Sequence, residues 1–94
     1  MQKATYKVEG GKMIRVSLKE KDNRIQKIKL TGDFFLHPEE LIEELEEALV
    51  GKPLNAQDLN ETIKMLTKSR NATLLGASPE AFVKCILMAG GRDG

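Results

Sequence analysis

Cysteine is almost absent from this sequence, and its scarcity limits the chemistry that the chain can do alone. Cys85 is the single cysteine among 94 residues, so an internal disulfide and a thiolate metal cluster are both excluded. A lone thiol without disulfides is typical of a reducing compartment, and we predict a cytoplasmic protein. No apolar run reaches the roughly 18 residues of a membrane-spanning helix, and we expect no secretion signal.

Catalytic and nucleotide-binding signatures are also missing. The sequence contains no Walker loop, GxGxxG, HExxH or GxSxG motif, and its paired glycines are isolated. No set of residues has the spacing of a nucleophile with its base or of a metal site. We therefore predict that the chain is non-catalytic and binds no cofactor or metal by itself.

Alternating apolar residues in the first third of the sequence predict three strands between residues 3 and 31. Gly10-Gly11 and Asp22-Asn23 lie between them and suit tight turns, so we expect an antiparallel meander. Ile25 is out of phase with the third strand, which indicates a bulge or a strand start there. The residues in phase are Ala4, Tyr6, Val8, Ile14, Val16, Leu18, Ile28 and Leu30.

Helical periodicity follows the strands and predicts helices over residues 38–50, 56–70 and 79–89. Strands followed by helices indicate an α+β fold of one domain, residues 1–94, with the helices packed on one face of the sheet. Pro38 is expected as the first helical residue. The stretch Asn71–Ala77 is expected to be a mobile loop, and the tail Arg92–Gly94 to fray.

The near-neutral charge, 15 basic against 14 acidic residues, hides an uneven distribution. Six basic residues and one acidic residue fall on the predicted outward face of the sheet, whereas the first helix is rich in glutamate. Such faces are usually solvated, but they also steer a partner of opposite charge. RNA-reading sheets carry exposed aromatic residues, which this face lacks. The basic residues are Lys3, Lys7, Arg15, Lys19, Lys27 and Lys29.

The segment between sheet and first helix, Gly32 to Pro38, is the main candidate for partner binding. Gly32-Asp33 predicts a turn, and Phe34 and Phe35 follow side by side. Neighbours in an extended chain point to opposite sides, so we expect one phenylalanine in the core and the other under a helix or exposed. Two interpretations remain open: both rings pack within the domain, or one of them is an anchor in an interface with a partner. The predicted docking residues are Gly32, Asp33, Phe34, Phe35, His37 and Pro38, with Arg15, Lys27 and Lys29 of the basic face.

His37 and Cys85 are weak candidates for chemistry. His37 precedes a proline and should be extended, and we interpret it as a turn residue or a partner contact. Cys85 lies on the flank of an apolar helical stripe, where a buried and inert thiol is expected.

Several segments together resemble the C-terminal accessory domain of lipoate–protein ligases. The resemblance is close over residues 10–52 and looser beyond, and its most specific part is Gly-Asp-Phe-Phe followed by a glutamate-rich helix. The matching segments are residues 12–16, 22–25, 28–35, 38–40 and 45–49, with Gly51. In most members this domain follows a catalytic domain. A chain carrying it alone looks like the accessory subunit of a two-piece ligase.

The resemblance implies a role in a two-step reaction. Lipoate and ATP, with magnesium, give lipoyl-AMP, and the lipoyl group then passes to a lysine of a 2-oxo acid dehydrogenase or glycine cleavage protein. The catalytic subunit is the implied partner in a heterodimer, and the accessory part is implied in the activation step. Two alternatives stay open: a sulfur-acceptor or scaffold protein of iron–sulfur cluster assembly, which needs an exposed Cys85, and a small nucleic-acid-binding module.

Overall fold

The computed structural model describes residues 1–92, and the predicted three-stranded meander is confirmed. Strands β1 (Gln2–Lys7), β2 (Met13–Lys21) and β3 (Arg24–Gly32) pair antiparallel in that order. The β2–β3 turn is tight because Asp22 and Asn23 both adopt positive φ, at 54° and 63°.

The predicted irregularity near Ile25 is a bulge in β3. Glu20 pairs with Ile25 and Lys19 pairs with Lys27, so Gln26 is an extra residue without a partner on β2. The extra residue changes the alternation, and Ile25 and Ile28 are therefore both buried.

A short β-ribbon, absent from the sequence prediction, follows the meander. Strand β4 (Phe35–His37) pairs antiparallel with β5 (Thr73–Leu75), and Phe35 lies opposite Leu75. The expectation of a loop throughout 71–77 is therefore wrong, because Thr73–Leu75 form β5 and pair with β4. Pro38 as the first helical residue is also wrong: it lies in the bend after β4, and the helix starts at Leu41.

Three helices follow the meander, as predicted, and two of them pack directly on one of its faces. They are α1 (Leu41–Leu49), α2 (Ala56–Ser69) and α3 (Pro79–Ala89); α1 packs on β3, α3 packs on β1 and β2, and α2 contacts both other helices. Asn55 caps α2 by accepting from the Asp58 N–H at 2.9 Å, and Ser78 caps α3 by accepting from the Ala81 N–H at 3.1 Å.

The core is almost entirely aliphatic, as the shortage of aromatic residues predicts, and Phe82 is its one fully buried ring among the described residues. The longest helix in residues 1–92 has 14 residues, and none has the length and apolarity needed to cross a membrane.

The expected fraying of the tail is wrong for Arg92. Its guanidinium donates to both Glu20 carboxylate oxygens, at 2.7 and 3.0 Å, and to the Asn23 side chain. The segment after α3 is thereby fixed to the β2–β3 hairpin. Asp93 and Gly94, part of the same prediction, lie outside the described residues.

Candidate docking surface

The chain turns sharply where β3 passes into β4, and Gly32 is required at this point. A Cβ on Gly32 would lie 2.2 Å from the Met13 carbonyl oxygen and 2.9 Å from the Phe34 ring. Asp33 holds the turn against β2, because its N–H donates to the Met13 carbonyl at 3.1 Å and its carboxylate accepts from the Met13 N–H. Gly32 and Asp33 therefore set the direction in which the next residues leave the sheet.

The two phenylalanines point to opposite sides, as the sequence predicts. Phe34 is partly buried and meets Phe82 edge to face, with ring centroids 4.9 Å apart. Phe35 is 52% exposed, and its ring lies parallel to that of His37 at a centroid distance of 6.5 Å. Leu36, which lies between Phe35 and His37 in the chain, is buried. Phe34 thus supports the fold, and Phe35 is displayed on the surface.

Leu75 extends this exposed surface and was missed by the sequence analysis. It lies opposite Phe35 across the ribbon and is 59% exposed, while Thr73 lies opposite His37. We call Phe35, His37 and Leu75 the apolar ridge. The signal in the sequence is weak: a leucine pair between Asn71 and Gly76, two residues that favour turns.

Two open grooves flank the turn at Gly32. One, of about 310 Å³, runs beside the ridge and is lined by Phe34, Phe35, Glu39 and Ile42 among others. The other, of about 330 Å³, lies toward the sheet, with Arg15, Thr31 and Asp33 in its walls. Pro38 is partly buried beyond His37. The Gly32–Pro38 segment therefore contributes residues to both grooves.

The outward face of the meander is basic, as predicted. We call Lys3, Lys7, Arg15, Lys19, Lys27 and Lys29 the basic face. All six residues are exposed, and within residues 1–92 none forms an ion pair.

Like charges meet directly on this face, since Lys19 lies opposite Lys27. Arg15 lies between Thr5 and Thr31 on the neighbouring strands, and its guanidinium donates to the Met13 sulfur at 3.8 Å. Like charges directly opposite each other on neighbouring strands repel, so the Lys19–Lys27 pair is unfavourable in the isolated chain.

Two glutamates of α1 have hydrogen-bond or ion-pair partners that the sequence pattern does not reveal. Glu46 accepts from the Leu30 N–H at 2.7 Å, and Glu44 pairs with Arg70 at 2.6 Å. Glu46 therefore closes the outer edge of β3, and Glu44 links α1 to the end of α2.

Cys85 is buried, as predicted. Its thiol contacts the carbonyl oxygens of Ala4 and Ile14 at 3.6 and 3.5 Å, and burial raises the pKa of the thiol to about 11. A neutral, enclosed thiol is a poor nucleophile, so the exposed cysteine that a sulfur acceptor needs is not present at this position.

The described part of the chain also offers no metal centre. Across residues 1–92, no group of three or more His, Cys, Asp or Glu is arranged to hold a metal ion. His37 is exposed, with Phe35 and Thr73 as its neighbours. The apolar ridge and the basic face meet at Gly32, and together they form the candidate docking surface.

Comparison with known proteins connects this chain to a family. Residues 2–86 match the family model described as the bacterial lipoate protein ligase C-terminus. A curated relative, lipoate-protein ligase A subunit 2 of Thermoplasma acidophilum, is 33% identical over 86 residues, which are 92% of this chain and 87% of the relative.

A solved structure has the same fold. It comes from work on a bi-partite lipoate protein ligase and its E2 lipoyl domain from Thermoplasma acidophilum. The matched chain has a TM-score of 0.78 and 31% identity, over 89% of this chain and 91% of that one. The resemblance seen in the sequence is confirmed, and the chain belongs to the family of lipoate–protein ligase C-terminal domains.

Proposed function

We propose that this chain is the accessory subunit of a two-piece lipoate–protein ligase. Together with a catalytic subunit it supports the ATP-dependent activation of lipoate to lipoyl-AMP, which precedes transfer to a lysine of an acceptor protein. The observation that carries the proposal is the apolar ridge, in which Phe35 and Leu75 are both more than half exposed and lie directly opposite each other on the β-ribbon. Exposed apolar side chains grouped in this way indicate a surface that a partner covers.

The two parts of the surface suit different tasks in docking. Aromatic side chains that become buried dominate binding energy, so Phe35 and His37 are proposed as direct contacts. Gly32, Asp33, Phe34 and Pro38 hold the ridge in position. The exposed charges of Arg15, Lys27 and Lys29 are proposed to speed encounter with an acidic surface and to fix its orientation.

The proposed effect on catalysis is conformational. Lipoyl-AMP is a reactive acyl-adenylate and must form away from water. A small subunit docked beside the catalytic site can act as a lid or brace. It favours the activation step if it binds the activation-competent state of the catalytic subunit more tightly than the other states.

ATP, magnesium and lipoate are proposed as substrates and cofactor of the complex, bound outside this chain. Within residues 1–92, no group of three or more His, Cys, Asp or Glu could hold a metal ion. No step of the reaction is therefore assigned to residues of this chain. Acceptor domains of 2-oxo acid dehydrogenases or of the glycine cleavage system are proposed as indirect partners in the cytoplasm.

A two-step assay with a purified catalytic subunit tests this function. Adding the chain should raise lipoyl-AMP formation from lipoate and ATP, and should change transfer from preformed lipoyl-AMP much less. Size-exclusion chromatography should show a one-to-one complex. Absence of a complex together with unchanged lipoyl-AMP formation would overturn the proposal.

A further inference from the structure

The two edges of the meander differ in how their backbone hydrogen-bonding groups are satisfied. Along the outer edge of β3, the Leu30 N–H donates to Glu46, the Ile25 N–H donates to the Lys52 carbonyl at 3.0 Å, and the Ile25 carbonyl accepts from Gly51 at 2.7 Å. In the described part of the chain, no strand pairs with the other edge, formed by β1. One edge is closed by side chain and loop, and the other is open.

The β1–β2 turn fixes which backbone groups of β1 face outward. The Val8 N–H donates to the Lys12 carbonyl at 2.7 Å, so Val8 is a hydrogen-bonded position of the antiparallel ladder. Bonded positions alternate, and Tyr6, Ala4 and Gln2 therefore bond to β2. The N–H and C=O groups of Lys3, Thr5 and Lys7 point away from the sheet, toward the open edge.

The core is also less well covered at this edge. On the central strand, Ile14, Val16 and Leu18 are at most 1% exposed, whereas Ala4, Tyr6 and Val8 on the inner side of β1 are only partly buried. A further strand beside β1 would cover these side chains and extend the core in the same layer.

The basic side chains of β1 determine which charge an added strand can carry. Lys3 and Lys7 project on the outward face of β1, and Arg15 is the next basic residue inward. Edge lysines disfavour neutral or basic strands and accept acidic ones. A second copy of this chain fits poorly, because two β1 strands paired antiparallel about Thr5 would place Lys3 opposite Lys7 twice.

We propose that β1 accepts an extended segment of the catalytic subunit as a fourth strand, with carboxylate side chains facing Lys3 and Lys7. Backbone hydrogen bonds would supply affinity, as in other cases of strand addition. The pairing of carboxylates with Lys3 and Lys7 would supply selectivity for an acidic segment. This inference rests on the proposed function, since it names a second contact with the same partner. It is separate from the apolar ridge.

Thr5→Pro is the most specific test, because it removes an outward N–H and leaves the ladder to β2 unchanged. Proline is tolerated on an edge strand where the N–H faces solvent. Thr5→Val is the matched control, since it changes the same side chain and retains the N–H. Affinity of each purified variant for the catalytic subunit is measured by calorimetry, after circular dichroism has established folding.

We expect Thr5→Pro to bind at least about tenfold more weakly than the wild type, and Thr5→Val to bind within about twofold. Equal affinity of the two variants, with wild-type binding intact, overturns strand addition and leaves the proposed function standing. Failure of the wild-type chain to bind overturns both. If ultracentrifugation shows a dimer of the isolated chain that Thr5→Pro abolishes, a second copy is the occupant and the partner assignment is wrong.

Amide hydrogen exchange gives an independent readout if Thr5→Pro fails to fold. In the wild-type complex, the amides of Lys3, Thr5 and Lys7 should exchange at least about tenfold more slowly than in the free chain. The amides of Ala4 and Tyr6, already bonded to β2, serve as the folding reference. Unchanged exchange at the three outward amides overturns the inference.

Discussion

Adjacent phenylalanines with opposite orientations allow folding and docking to be separated by two single substitutions. Phe34 packs edge to face on Phe82, in contact with the core, whereas Phe35 is 52% exposed on the apolar ridge. Phe34→Ala should therefore reduce stability, and Phe35→Ala should reduce affinity for the catalytic subunit. The chemical change is identical and the positions are neighbours, so each variant is a control for the other.

The expected losses of stability and of binding free energy follow from how far each ring is buried. Truncating a fully buried phenylalanine costs about 3–5 kcal/mol; for the partly buried Phe34, with its aromatic contact, we expect about 2–3 kcal/mol. In a domain of this size that lowers Tm by about 10–20 °C. For Phe35 we expect at most about 0.5 kcal/mol of lost stability. Its expected loss of binding energy is about 2 kcal/mol, or about thirtyfold in Kd.

Thermal unfolding followed by circular dichroism measures the first quantity, and calorimetric titration with the catalytic subunit measures the second. Leu75→Ala should reproduce the phenotype of Phe35→Ala, because the two side chains lie opposite each other on the ribbon. Two outcomes would refute the reasoning: Phe35→Ala unfolding as readily as Phe34→Ala, or Phe35→Ala binding the catalytic subunit as well as the wild type.

Three further predictions concern the fold. Gly32→Ala should lower the free energy of unfolding by about 1–3 kcal/mol in a denaturant titration, because its Cβ would meet the Met13 carbonyl; a wild-type value would contradict the close approach. Hydrogen bonds from Arg92 lower the pKa of Glu20 below its usual 4.5, so Glu20→Gln should lower Tm at pH 7. This difference should shrink as the pH falls below 4.5, and a constant difference would refute the ion pair. Since burial raises the pKa of the Cys85 thiol from 9.0 to about 11, its contribution to stability should be lost as the pH rises from 9 to 11. A Cys85→Ala variant should lack this loss, and an equal loss in both proteins would assign it to other groups.

The meander and the ranges of α2 and α3 could be predicted because their signals are local. Alternation in β2, the Asp22-Asn23 turn and the helical periodicity of α2 and α3 each depend on residues close together in the sequence. The bulge at Gln26 was predictable for the same reason, since one out-of-phase residue, Ile25, marks it.

The β4–β5 ribbon could not be predicted, because its strands have three residues each and pair across a long stretch of chain. Three residues are too few to show a period. The wrong prediction of Pro38 as the first residue of α1 has the same origin. Residues 35–37 form β4, and the helix begins only at Leu41. Phe35 was accessible to sequence reasoning through its neighbour Phe34, whereas Leu75 depended on the long-range pairing.

Lipoyl-AMP formed by a lone catalytic subunit, measured while this chain is titrated into the reaction with lipoate and ATP, is the most direct test of the proposed role. The account predicts a rise that saturates near one equivalent of the chain and is absent when the chain is incubated with lipoate and ATP alone. A flat titration, or formation of lipoyl-AMP by the isolated chain, would contradict it.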